Sequence, residues 1–202
     1  MHRRTFLSLA VTAILSLGIA ACGGTEQAAS QGSETPSQAS SVAETSPLQQ
    51  PGWFDYDPTN NEVTLSIRAG ATGANNNWNF NGYHSGNATI VVPQGSRVTV
   101  EFHNVDQVNA HSFSIESQVG DYPPTFMEAD AVFQGAHTRS PLQMANATQP
   151  GQSETVTFTA SEAGNYAMVC LVPAHAAQGM WVHFNVSADG SAGVRSGDGG
   201  SP

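Results

Sequence analysis

The stretch Cys170-Leu171-Val172-Pro173-Ala174-His175-Ala176-Ala177-Gln178-Gly179-Met180 places a thiol, an imidazole and a thioether with four residues between each pair. A strand that ends at Cys170 and runs into a turning loop would bring all three side chains around one point. Copper needs such a mixed set, because Cu(I) prefers soft sulfur and low coordination whereas Cu(II) prefers nitrogen. Two imidazoles, one thiolate and a long thioether serve both states with little rearrangement, so an electron can arrive or leave over a small barrier. The second imidazole has to come from elsewhere in the chain. His111, Phe113 and Ile115 share one parity of an extended segment, so His111 projects from the face that carries two core residues and is the natural donor.

Each of these residues has an ordinary structural role when taken singly: a buried thiol, a hydrogen-bonded core histidine, a methionine filling a gap. Spacing and placement together argue for a site, as does the absence of any cysteine after Cys22 apart from Cys170. A single cysteine excludes a disulfide within the domain, a cysteine-based zinc cluster and a two-cysteine binuclear copper centre. No His-x-His pair occurs, which argues against a copper oxidase or nitrite reductase domain. With all four copper positions filled, no open site remains for a substrate, so the expectation is an electron carrier and not an enzyme. The alternative is a copper delivery or storage protein. Such proteins favour exposed Met- and His-rich tracts, which this chain lacks, although five methionines and a long insert keep the idea open.

The elements that must position these residues read as strands. Val98, Val100 and Phe102 alternate with polar neighbours, as do Val63, Leu65 and Ile67 near the start of the domain and Val182, Phe184 and Val186 near its end. Further strands are expected at 89–92, 155–159 and 166–170. Seven or more short strands between residues 53 and 187, with no long helical period, indicate an all-β Greek-key sandwich. Residues 117–152 are Pro-rich and long for a loop, and are expected to form an inserted region over one end of the sandwich.

The ligand loop, the segment Asn109-Ala110-His111-Ser112-Phe113-Ser114-Ile115, and Asn79-Phe80-Asn81-Gly82 followed by Ile90-Val91-Val92-Pro93-Gln94-Gly95 resemble the cupredoxins, above all their sulfocyanin and rusticyanin branch. The resemblance covers most of residues 77–187. It implies one type 1 copper ion with His111, Cys170 and His175 as equatorial ligands and Met180 as the axial one. Ser112 stands where most cupredoxins carry Asn, and Ala174 replaces the glycine that usually precedes the loop histidine. Both changes bear on hydrogen bonding to the cysteine sulfur. Apolar residues crowd the loop, and Pro173, Ala176 and Ala177 are expected to form an apolar patch through which electrons pass by way of His175. His84, His103, His137 and His183 are expected to take no part in the site, and Trp78 and Phe80 to serve as packing.

The ends of the chain read differently. Residues 1–22 have the basic start, apolar stretch and small residues of an export signal. Ile19-Ala20-Ala21-Cys22 resembles a bacterial lipobox, which implies lipidation at Cys22, and Arg3-Arg4 resembles a twin-arginine signal. Residues 23–52, rich in Ser, Gln, Ala, Glu, Thr and Pro, are expected to be a disordered tether, and 188–202 a disordered tail. The expected place is therefore outside the cytoplasm, in the periplasm or on the cell surface, with a lipid anchor as the sole membrane attachment. Lysine is absent and the formal net charge is −10, so nucleic acid is excluded as an electrostatic partner. The expected partners are redox proteins such as cytochromes or a terminal oxidase, met by a monomer.

Overall fold

The structure, a computed structural model, describes residues 46–197. The signal-like segment with Cys22, most of the expected tether and the last five residues lie outside the described residues. Among the described residues nine strands run in chain order: β1 (Phe54–Asp57), β2 (Glu62–Ala69), β3 (Ala88–Pro93), β4 (Arg97–Asn104), β5 (Ser114–Glu116), β6 (Ser153–Thr159), β7 (Gly164–Val169), β8 (Trp181–Ser187) and β9 (Gly193–Ser196). They form two sheets, ordered β1-β2-β4-β6 and β5-β7-β8-β3-β9. β2 pairs parallel with β4, and β3 parallel with β8; the other pairings are antiparallel. The chain crosses between sheets at every connection from β2 to β7, which is the all-β sandwich expected from the strand pattern.

Alternation explains the four-stranded sheet. Val63, Leu65, Ile67 and Ala69 of β2 lie opposite Val98, Val100, Phe102 and Asn104 of β4 and face inward with them, while Thr64, Ser66, Thr99 and Glu101 face out. The other sheet is covered on both faces near one end. Met168 and Cys170 enter the main core, whereas Ala167, Val169, Leu171 and Ala176 join a second cluster with Tyr122. Tyr122 belongs to the 117–152 region, and Phe126 and Leu142 from the same region pack on that cluster. Further along, Phe133 stacks on Phe158 at 5.8 Å and meets Tyr166 edge-on at 5.1 Å. The insert is thus part of the packed structure around β7, the strand that leads into Cys170.

Three expectations need correction. The tail beginning at 188 contains β9, which pairs antiparallel with β3, and Val194 is 3% exposed. The end of the expected tether is also engaged, since Gln49 and Val194 exchange backbone hydrogen bonds of 2.9 and 2.8 Å. The backbone of this Gly- and Ser-rich segment finds its hydrogen-bond partners on the edge of β3, and Val194 and Ala192 pack against the core. His111 is not on a regular strand either. It forms an isolated bridge with Thr148 of the insert, and residues 110–116 are buried on both parities.

Candidate metal centre

Two backbone devices shape the ligand loop between β7 and β8. Cys170 N–H donates to Met180 O (3.1 Å) and Met180 N–H to His175 O (2.8 Å), so the cysteine and methionine ends of the loop are laced together. Inside it, His175 N–H donates to Val172 O (3.1 Å) and Gln178 N–H to Ala174 O (3.1 Å). Ala174 has φ +72 and Gly179 φ +100, the left-handed conformations that close so short a loop. His111 comes from the connection between β4 and β5, fixed by reciprocal hydrogen bonds with Thr148 of 3.1 and 3.0 Å.

The result is a convergence of donor atoms. His111, Cys170 and His175 each offer one ligand atom, all within 4.8 Å of one another and all buried. His111 Nδ1 lies 3.2 Å from His175 Nδ1, and His175 Nδ1 lies 3.5 Å from Cys170 Sγ. Met180 is fully buried in the same core cluster. Three of the residues singled out by spacing and parity, His111, Cys170 and His175, therefore meet, and Met180 is buried on the same loop with its backbone bonded to Cys170 and His175.

The electrostatics of the pocket are those of a dry site. Burial pushes the Cys170 thiol up to about 11, against the pull of hydrogen bonds from the Ser112 and Val172 backbone. Burial also lowers His175 to about 4, with His111 adding to the effect, and holds His111 below its ordinary value despite Asp106. Without a cation the pocket keeps its imidazoles neutral and its thiol protonated. A bare thiolate there would be an uncompensated buried charge, and a thiophilic metal ion supplies the compensation. Two neutral imidazole nitrogens and a thiol whose proton a metal ion would displace into solvent fit copper.

The surrounding shell includes residues the sequence did not bring forward. Asp106 Oδ2 is 3.0 Å from His111 Nε2, the ring nitrogen turned away from the other ligands. Burial would raise the Asp106 carboxyl, but hydrogen bonds from the Asn109 side chain, Val108 N–H, His111 and Asn109 N–H outweigh it and bring it to about 2. Gly70 leaves room for this aspartate, since a Cβ there would run into Asp106 Cβ and backbone. Ser112 Oγ donates to Pro141 O (2.9 Å), accepts from Leu171 N–H (3.1 Å) and lies 3.7 Å from Cys170 Sγ. Its one proton goes to the insert's carbonyl, and the oxygen pins the residue after Cys170.

The expected electron-transfer patch is only partly at the surface. Ala177 is exposed and Pro173 partly buried, but Ala176 is 2% exposed because it packs with Tyr122 and Leu171. The shallow depression beside His175 is lined instead by Val108, Ala110, Met144 and Ala145 together with the polar Asn109 and Gln149, with Val108 81% and Met144 55% exposed. Of the other histidines, His103 is exposed on the outer face of β4, and His183 sits against Trp181. Trp78 packs against the main core as expected, and its ring also stacks on His175.

The family model described as the sulfocyanin (SoxE) domain matches residues 51–194. The chain belongs to the sulfocyanin family. A curated sulfocyanin from Sulfolobus acidocaldarius is 30% identical over 129 residues, which cover 62% of this chain and 64% of that protein. The chain thus spans somewhat less than two thirds of that relative. Among solved structures, substituted forms of rusticyanin share the fold at a TM-score of 0.50 and 21% identity, over 70% of this chain and 87% of theirs. Dithionite-reduced auracyanin from Roseiflexus castenholzii is 29% identical over 61% of this chain and 96% of its own, with a TM-score of 0.46. The family match spans β1 to the first half of β9, so the tail strand belongs with the sulfocyanin domain. The cofactor of the family is one type 1 copper ion, and His111, Cys170 and His175 stand together as its possible ligands.

Proposed function

We propose that this sulfocyanin-family protein carries single electrons on one copper ion that His111, Cys170, His175 and Met180 would hold. The observation that carries the reading is the meeting of two imidazole nitrogens and one cysteine sulfur within 4.8 Å in a buried pocket. Copper bound there supplies a one-electron couple between Cu(I) and Cu(II). The protein's part is to hold the donors still. The bridge of His111 to Thr148 and the lacing of Cys170, His175 and Met180 tie down the backbone at each donor, which would keep the rearrangement on electron transfer small.

The route to partners lies beside His175. Val108 and Met144 offer an exposed, uncharged apolar rim there, with Pro173 and Ala177 on the loop itself. The partners are redox proteins such as cytochromes or a terminal oxidase. Ile19-Ala20-Ala21-Cys22 supports a lipid on Cys22 that keeps the domain outside the cytoplasm, with residues 23 to about 48 as the tether.

Electron exchange and metal exchange separate this reading from copper delivery. The copper-loaded protein should exchange electrons rapidly between its Cu(I) and Cu(II) forms, as read by NMR line broadening, and retain its copper when mixed with an apo-protein acceptor. Slow electron exchange with fast copper release would favour delivery.

A further inference from the structure

Trp78 lies nearly flat on His175, with ring centroids 4.2 Å apart and planes inclined by 22°. His175 is buried whereas Trp78 is partly exposed, so on this side the indole is the outermost ring of the pair. The backbone is shaped to put it there. Asn75, Asn76 and Asn77 have φ of 49, 56 and 66, the left-handed region that asparagine tolerates better than other side chains. Asn75 Nδ2 donates to Trp78 O and to Gln178 O, each at 2.9 Å, tying this turn to the ligand loop between His175 and Met180. Asn79, fully buried, closes the turn from the other side by donating to Thr72 O (2.9 Å) and Ala74 O (2.8 Å) and accepting from Gly82 N–H (3.0 Å).

We propose that Trp78 is a positioning residue of the copper site, one that fixes the plane of the His175 ring and lowers the reduction potential by stacking on it. The inference rests on the copper-carrier reading above. An imidazole bonded to the metal carries more positive charge when the site is oxidised, and the face of an indole carries the negative part of its quadrupole. The attraction is therefore stronger in the oxidised protein. Removing the indole destabilises that state relative to the reduced one, and the potential rises. A merely structural role predicts the opposite sign, because a loosened rim admits water, which favours the more highly charged Cu(II).

Redox titration of the full copper-loaded chain tests this. Trp78→Leu should shift the Cu(II)/Cu(I) ratio at a fixed ambient potential toward Cu(I) by about three- to tenfold, or about 30 to 60 mV for a one-electron couple. Trp78→Phe, which keeps a stacked ring, should recover about half of that shift. Wild-type protein made with fluorinated tryptophan keeps the shape of the indole while drawing density from its face, and its potential should also rise. It carries the test if Trp78→Leu fails to fold. An unchanged or lowered potential in the fluorinated protein, or in a folded Trp78→Leu, would overturn the proposal. Wild-type protein that stays colourless with Cu(II) would instead overturn the copper reading on which it rests.

Discussion

Asp106 accepts from His111: Oδ2 lies 3.0 Å from Nε2, on the far side of the imidazole from Cys170 and His175. The contact fixes the tautomer with its proton on Nε2 and leaves the Nδ1 lone pair directed toward His175, where it would be available to a metal ion. It also makes the ring more electron-rich, which favours the oxidised site. Asp106→Asn can still accept the hydrogen bond through its amide oxygen, so copper binding should persist while the potential rises. Asp106→Ala loses the partner and the turn that it caps for Val108 and Asn109, and copper affinity should fall by about 10- to 100-fold in competition titrations. Unchanged affinity in the alanine variant would mean that Thr148 alone orients His111.

Gly179 should tolerate no side chain. Its φ is +100, and a Cβ there would collide with Ser85 Oγ and crowd Asn75 Nδ2 at 3.3 Å. Gly179→Ala should cost about 1–3 kcal/mol by denaturant unfolding. Adding Ser85→Ala should restore part of the loss, and a double variant no better than the single would place the whole cost in the backbone.

Ala174 presents the reverse case. It holds φ +72, where a non-glycine residue pays about 1–2 kcal/mol. Ala174→Gly relieves that strain but gives the unfolded chain more freedom, so the net gain should be up to about 1 kcal/mol in copper-free unfolding. A loss of stability would show that the Ala174 methyl makes packing contacts worth more than the strain.

Glu116 gives stability a pH dependence. Its side chain is buried on β5, and among the described residues its Oε1 has no hydrogen-bond partner. Burial first, then the Asp130 carboxylate, raise it above the ordinary 4.5, against Ser114 and His137. Above 4.5 the folded chain holds this proton more tightly than the unfolded one, so its contribution is full below 4.5 and is lost as pH rises through the raised value. The difference in urea midpoint between wild type and Glu116→Gln should therefore change across that window. A difference that is flat with pH would contradict it.

The sequence revealed what one-sided burial and close spacing can reveal. β2, β4 and β8 alternate because each has one wet or half-wet face, and Cys170, His175 and Met180 sit on a single loop whose spacing survives in the linear chain. His111 was legible as a donor, yet parity is not what places it; both faces of residues 110–116 are covered, and Thr148 does the positioning. Asp106 was hidden because an acid in a turn reads as solvated, and only the fold brings it under His111 five residues later. Trp78 was hidden because the direction of its ring depends on three left-handed asparagines. Ala176 was misplaced because the 117–152 region covers it, and β9 because a Gly- and Ser-rich composition says nothing of the open edge of β3 that it joins.

The central claim is that Cys170 sulfur is a ligand of one copper ion, and the visible spectrum of the protein during Cu(II) titration tests it most directly. Wild type should turn intensely blue to an end point of one equivalent and bleach reversibly on reduction, and Cys170→Ser should lose the colour. A colourless wild type, or a Cys170→Ser variant that is equally blue, would contradict the account.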